Sequence, residues 1–251
     1  MIRNEFLVKF LGFSRFQELR RNLISEAENE KKPVLGSAAI LLAVMLALLP
    51  AISGSLGSLP NDIDITTVLI GTASVLSVVF RNRVQIQFQY VKEWKKSLGL
   101  IHTAFALGCV PALIIILFNS QALYLLSQPS HSGANKVSTI PWWLFVMQVS
   151  VWAGLTEELI YRGLLVSVLR RWSALPNQKY RDIFAVSLSA LVFGLGHMSS
   201  WGPAMSFALV GLGFGLGLGY LAIGERLIPV IVYHILFDAL SLTCALFSYR
   251  A

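Results

Sequence analysis

Glu157, Glu158 and Arg162 lie together in Thr156-Glu157-Glu158-Leu159-Ile160-Tyr161-Arg162, inside an apolar run that starts at Trp142. A charge buried in a bilayer is costly, so ionisable groups at membrane depth are functional candidates by default. On an α-helix, residues four apart share a face. Glu158 and Arg162 therefore pair, each offsetting the other's desolvation. Glu157 points about 100° away on the same helix. It has no local cation and is the carboxylate left to take a proton from water, as a general base must. The plainer alternative is an internal salt bridge that only holds helices together. It weighs evenly against function for Glu158 and Arg162, and less for Glu157.

Two more polar pairs follow. Phe193 and His197 are four apart in Leu191-Val192-Phe193-Gly194-Leu195-Gly196-His197-Met198, where Gly194 and Gly196 make room for something close by. His234 and Asp238 are four apart and share a helix face. A lone histidine in an apolar helix is more often a satisfied core residue than a ligand, so each pair is weak alone. Together with Glu157, Glu158 and Arg162 they account for most of the ionisable residues inside the apolar runs of the C-terminal half. Three helices must converge to satisfy them. The resulting cluster of carboxylates and imidazoles could activate a water. It could equally hold a metal such as zinc on Glu157, His197, His234 and Asp238, since N and O donors from three helices suit that ion.

The elements that position these residues follow from composition. Of 251 residues, 55% are hydrophobic and 13% charged, against roughly 25% charged in soluble domains. The apolar runs are long and unbroken rather than alternating, which predicts helices and not a barrel. The expected fold is an all-α polytopic transmembrane bundle of about seven spans, preceded by an amphipathic helix. Residues 1–33 alternate basic residues with Phe6, Leu7, Phe10, Leu11, Phe16, Leu19 and Leu23, as in a helix lying on the inner membrane surface. Residues 34–251 form one bundle, with spans at 34–51, 63–80, 98–118, from 142, 183–198, 204–223 and 227–247.

Basic residues alternate between loops. They crowd before the first span, between the second and third (Arg81 to Lys96), and after the fourth (Arg170, Arg171, Lys179, Arg181). The positive-inside rule places the N-terminus in the cytoplasm and the C-terminus outside. The net charge of +7 is read as cytoplasmic flanks facing anionic lipid, not as a nucleic-acid surface. In the sixth span Gly211, Gly215 and Gly219 share a face that lets a neighbouring helix approach closely. Cys109 and Cys244, both in apolar runs, read as small core hydrophobes. By helical rise, His234 lies roughly 10 Å and Glu157 roughly 8–19 Å from the cytoplasmic face, while His197 comes out deeper, at roughly 20 Å. The expected site is in the inner half to middle of the bilayer.

Glu157-Glu158-x-x-x-Arg162, Phe193-x-x-x-His197 and His234-x-x-x-Asp238, in that order on successive spans, resemble the CAAX prenyl-protease type 2 and bacteriocin-processing (CPBP, Abi-like) intramembrane proteases. The resemblance covers about residues 142–245 and implies an all-helical bundle with a conical, cytoplasm-facing cavity. It implies peptide-bond hydrolysis by water without an acyl-enzyme. Glu157 would then be the general base, and His197 would help to hold the water. His234 and Asp238 would stabilise the oxyanion, and Glu158 and Arg162 would orient the site or the substrate. Phe193 and Tyr161 would lie beside the substrate. Asp238 departs from the eukaryotic pattern, where Asn is usual. An ionised Asp cannot donate to an oxyanion, so Asp238 is protonated, or orients His234, or ligates a metal. The family has been described as both metallo- and glutamate proteases.

The expectation is therefore an intramembrane endopeptidase of the plasma (inner) membrane, acting on a peptide or protein. CAAX-type processing of prenylated C-termini and cleavage of peptide leaders are both open. Membrane lipid is an expected partner and nucleic acid is not. No cofactor is certain, and zinc is the candidate. A proton-coupled transporter would use the same buried groups as a relay, but would favour matching repeats, and the ionisable residues sit in one half only. A non-catalytic immunity or scaffold protein on the same fold is the third reading.

Overall fold

The computed structural model describes residues 94–118, 141–172, 174–175 and 177–250, with Gln17, Glu18 and Arg21 in an N-terminal helix. The first two expected spans and the rest of the amphipathic segment lie outside the described residues. Within them the chain is helical and without strands. α1 is Trp94–Phe118, α2 Trp142–Glu157, α3 Gln178–Gly196, α4 Met198–Ala222 and α5 Leu227–Arg250. These fall within a few residues of the third to seventh expected spans. Two stretches, Gly202–Ala222 and Leu227–Cys244, are long and apolar enough to cross a membrane. Large apolar side chains such as Trp143, Met147 and Trp152 on α2, and Leu236 and Leu240 on α5, are turned outward. That surface suits lipid rather than water.

α4 is the centre of the bundle, and its glycines explain why. A Cβ on Gly108 of α1 would lie 2.3 Å from the Gly211 carbonyl oxygen, and one on Gly215 would lie 2.7 Å from that of Ala104. The backbones of α1 and α4 thus touch along Gly211, Gly215 and Gly219, as the spacing predicts. The intervening glycines serve a second partner. Gly213 meets Phe193 and Ala190, and Gly217 meets Val186, all on α3. One alternating stripe therefore seats two helices on two faces of α4. On the other side Gly154 brings α2 against Ile235 of α5.

α2 departs from expectation at its most important point. The helix does not run on as α. Glu158–Val166 is a π-helical segment, closed by a last α turn at Ser167–Leu169. Such segments are rare and concentrate at functional sites. All nine residues of the segment are buried, so its polar members are internal whichever way they point. α3 starts at Asn177, whose side chain accepts a hydrogen bond from the Lys179 backbone N–H at 2.8 Å, an N-cap. It stops at His197, which stands at the junction with α4 in the sparsely populated region near φ −98°, ψ −2°. α4 breaks again at Gly202 (φ 72°), ahead of Pro203.

The basic residues after α2 correct another expectation. Their position after an apolar run predicts lipid-facing flanks for Arg170 and Arg171, yet both are buried. Arg170 bonds Asp182 at 2.6 Å and also Glu225, and Arg171 lies 3.5 Å from Glu225. Glu225 sits in the α4–α5 turn at φ 55°, a left-handed conformation that is unusual for a side-chain-bearing residue. The pairing ties three chain turns together. Cys109 packs on the core as expected, whereas Cys244 is exposed on α5.

Candidate active site

The π-helical segment, the end of α3 and the middle of α5 bring Glu157, Glu158, Arg162, His197, His234 and Asp238 into one cluster. His197 joins the cluster from the junction just after the last turn of α3. Glu158 and Arg162 pair as their spacing predicts, with Arg162 NH1 donating to Glu158 Oε1 at 2.7 Å. Both are essentially inaccessible. Arg162 NH2 also donates to the Gly213 carbonyl at 3.1 Å, and the guanidinium lies 5.1 Å from the centre of the Phe193 ring.

The same Glu158 oxygen meets His234 Nδ1 at 2.7 Å. A carboxylate only accepts, so the proton is on Nδ1, and the ring is fixed with Nε2 turned toward the open side. There Nε2 lies 3.8 Å from Glu157 Oε2 and 3.4 Å from Asp238 Oδ2. His197 is set by the same logic from its own helix. Its Nδ1 is 2.8 Å from the Phe193 carbonyl, which can only accept, and its Nε2 is 3.6 Å from Glu157 Oε1. Glu157 thus has one oxygen toward each imidazole. Its side chain is 22% exposed, like those of His197 (23%) and Asp238 (24%), whereas Glu158 is at 0%. The exposed groups meet at distances too long for direct hydrogen bonds, and the buried ones at short distances.

Tyr161 and Phe193 are both buried and pack edge to face, with ring centroids 5.2 Å apart. They back the charged groups from inside. The two glycines before His197 have separate uses. Gly194 admits Val210 and the Ser206 carbonyl of α4, and Gly196 faces the Tyr161 hydroxyl.

Among the described residues no group of three or more His, Cys, Asp and Glu side chains is arranged to hold a metal ion. The set expected for zinc, Glu157, His197, His234 and Asp238, is not among such groups. The two imidazoles face different oxygens of Glu157.

Sequence reasoning did not reach the groups that support the cluster. Ser189 donates to the Tyr161 carbonyl at 2.9 Å, and Ser167 donates to that of Arg162 at 3.3 Å. His102 of α1 reaches Tyr233, the neighbour of His234, at 2.8 Å. A serine in an apolar helix carries no spacing signal, and a carbonyl that needs a second donor is visible only in three dimensions.

Residues 139–240 match the family model described as type II CAAX prenyl endopeptidase Rce1-like. No curated protein and no solved structure matches the chain.

Proposed function

From the membership of residues 139–240 in the Rce1-like type II CAAX prenyl endopeptidases, we propose that the chain is a membrane-embedded endopeptidase in which Glu157 activates the attacking water. The observation that carries this reading is the placement of Glu157 between two imidazoles, partly open, with each oxygen 3.6–3.8 Å from a ring nitrogen. One water bridging Glu157 Oε1 and His197 Nε2 donates a hydrogen bond to each, because both are acceptors when His197 keeps its proton on Nδ1. Its oxygen lone pair is then directed at a peptide carbonyl.

The water oxygen bonds to the scissile carbonyl carbon as Glu157 takes its proton. The carbonyl oxygen becomes an oxyanion beside His234. With Nδ1–H given to Glu158, Nε2 donates to that oxyanion only when the ring carries both protons. Asp238, 3.4 Å from Nε2, then orients the imidazolium. Collapse breaks the C–N bond, Glu157 returns the proton to the leaving amine, and the products are a new carboxylate and a new amine. General acid–base participation of this kind contributes roughly 10²–10⁴-fold.

The substrate class we propose is a peptide C-terminus carrying an isoprenyl group, as CAAX processing requires, presented from the membrane. The test is cleavage of a fluorogenic prenylated peptide by the full chain in detergent, wild type beside Glu157→Ala, with and without a zinc chelator. Cleavage lost in the variant and kept in chelator is the expected result. Loss in chelator would replace the glutamate mechanism with a metal one. Activity retained by Glu157→Ala would end the assignment.

A further inference from the structure

The π-helical segment starts at Glu158, one residue after Glu157, so its winding sets the angle between the two carboxylates. In an α-helix neighbouring side chains are about 100° apart. In a π-helix, with hydrogen bonds spanning five residues instead of four, the turn is wider and that angle is smaller. A nine-residue π stretch needs support beyond its own backbone bonds, and two hydroxyls provide it. Ser189 of α3 donates to the Tyr161 carbonyl at 2.9 Å. Ser167 donates to the next carbonyl, Arg162, at 3.3 Å, and is itself 3.0 Å from the Tyr220 hydroxyl of α4. With the Ser167 proton given to Arg162, Tyr220 is the donor in that pair. All three side chains are buried. Two successive carbonyls in the middle of the segment are thus held by side chains, one from α3 and one from the turn that closes the segment and is itself backed by α4.

We propose that Ser189 and the Tyr220–Ser167 pair are positioning residues: they hold the π-helical winding, and through it the placement of Glu158, Arg162 and His234 relative to Glu157. None of them touches the reacting groups. They act through the backbone that carries Glu158, whose Oε1 fixes His234 Nδ1. The catalytic part of the proposal rests on the endopeptidase reading above, and the geometric part does not.

Ser189→Ala and Tyr220→Phe each remove one hydroxyl and little volume. Ser206→Ala is the control, because its hydroxyl is also buried but serves Gly202 of its own helix. Two readouts keep the two ideas apart. In cleavage assays, Ser189→Ala and Tyr220→Phe lower kcat about tenfold with KM within twofold, while Ser206→Ala changes neither. In protein carrying ¹⁵N-histidine, the ring signals of His234 shift in the two positioning variants and those of His102 do not. Unchanged His234 signals in both variants overturn the proposal, as does a kcat within twofold of wild type where cleavage is measurable. A wild type that cleaves nothing refutes the endopeptidase reading, and the His234 signals then decide this one.

Discussion

Two clusters of buried charge lie about two helical turns apart on the chain that continues from α2, and they are built on opposite rules. At the end of the helix, Arg170 bonds Asp182 and Glu225, and Arg171 adds the Ser167 carbonyl and the second oxygen of Glu225. Cations and carboxylates are equal in number, and all four are buried. In the middle, three carboxylates share one arginine and two imidazoles. The inner half, Glu158, Arg162 and His234 Nδ1, is bonded at 2.7 Å. The outer half, Glu157, His197, Asp238 and His234 Nε2, stands 3.4–3.8 Å apart. Buried charges are costly unless paired and hydrogen-bonded, so a cluster whose charges balance holds structure together. A cluster matched on one side and slack on the other, where it is exposed, can bind and transform something. Balance and slack separate the two, and charge count alone does not.

The sharpest break of that comparison is a double dissociation. Glu157→Gln should lower cleavage by about 10³-fold, within the range for loss of a general base. Its melting temperature should stay near wild type, because Glu157 makes only long contacts. Glu225→Gln should do the reverse. Removing one partner of a buried pair costs about 3–5 kcal/mol, read as a lower midpoint of thermal unfolding in detergent, with cleavage per folded molecule within a few-fold of wild type. If Glu225→Gln lost activity while fully folded, the α4–α5 turn would belong to the site and the division would fail.

Much of both halves was legible in the sequence, because the required residue types fall at helical spacing inside apolar runs. The Glu158–Arg162 pair, the His234–Asp238 face and the gathering of all six residues follow from that. Three things did not. The winding of Glu158–Val166 was read as α, since i,i+4 spacing pairs Glu158 with Arg162 in either helix. The burial of Arg170 and Arg171 was missed, because a basic pair after an apolar run has the same composition whether it faces lipid headgroups or two distant acids. Only the approach of Asp182 and Glu225, 12 and 55 residues away, settles it. The third is metal binding, because donor types show on a sequence and their arrangement around an ion does not.

The glycine stripe of α4 sharpens the comparison from outside both clusters. Gly108→Ala places a methyl 2.3 Å from the Gly211 carbonyl, and backbone cannot move aside as a side-chain tip can. Overpacking of this kind costs about 1–3 kcal/mol. The expected result is a lower unfolding midpoint, smaller than that of Glu225→Gln, with kcat unchanged in the folded fraction. A large fall in kcat would mean that the α1–α4 contact also tunes the site, through His102 and Tyr233.

The smallest expected effect tests the slack itself. Asp238→Asn keeps size and shape and exchanges a carboxylate oxygen for an amide that can also donate. If Asp238 orients His234 from 3.4 Å, the amide oxygen can still accept from Nε2–H, and the NH₂ group becomes an added donor for the oxyanion. Cleavage should then stay within about tenfold of wild type, which is about 1.4 kcal/mol or less on the barrier. Asp238→Ala, with neither acceptor nor donor, should fall further, with KM nearly unchanged because the loss is in the transition state. Equal activity in Asn and Ala variants would place Asp238 outside the reacting set and leave His234 alone to meet the oxyanion. A collapse of Asp238→Asn to the level of Glu157→Gln would mean that the negative charge at 238 is itself required to keep His234 doubly protonated. The outer half would then be a charge-coupled pair rather than separate groups around a shared opening.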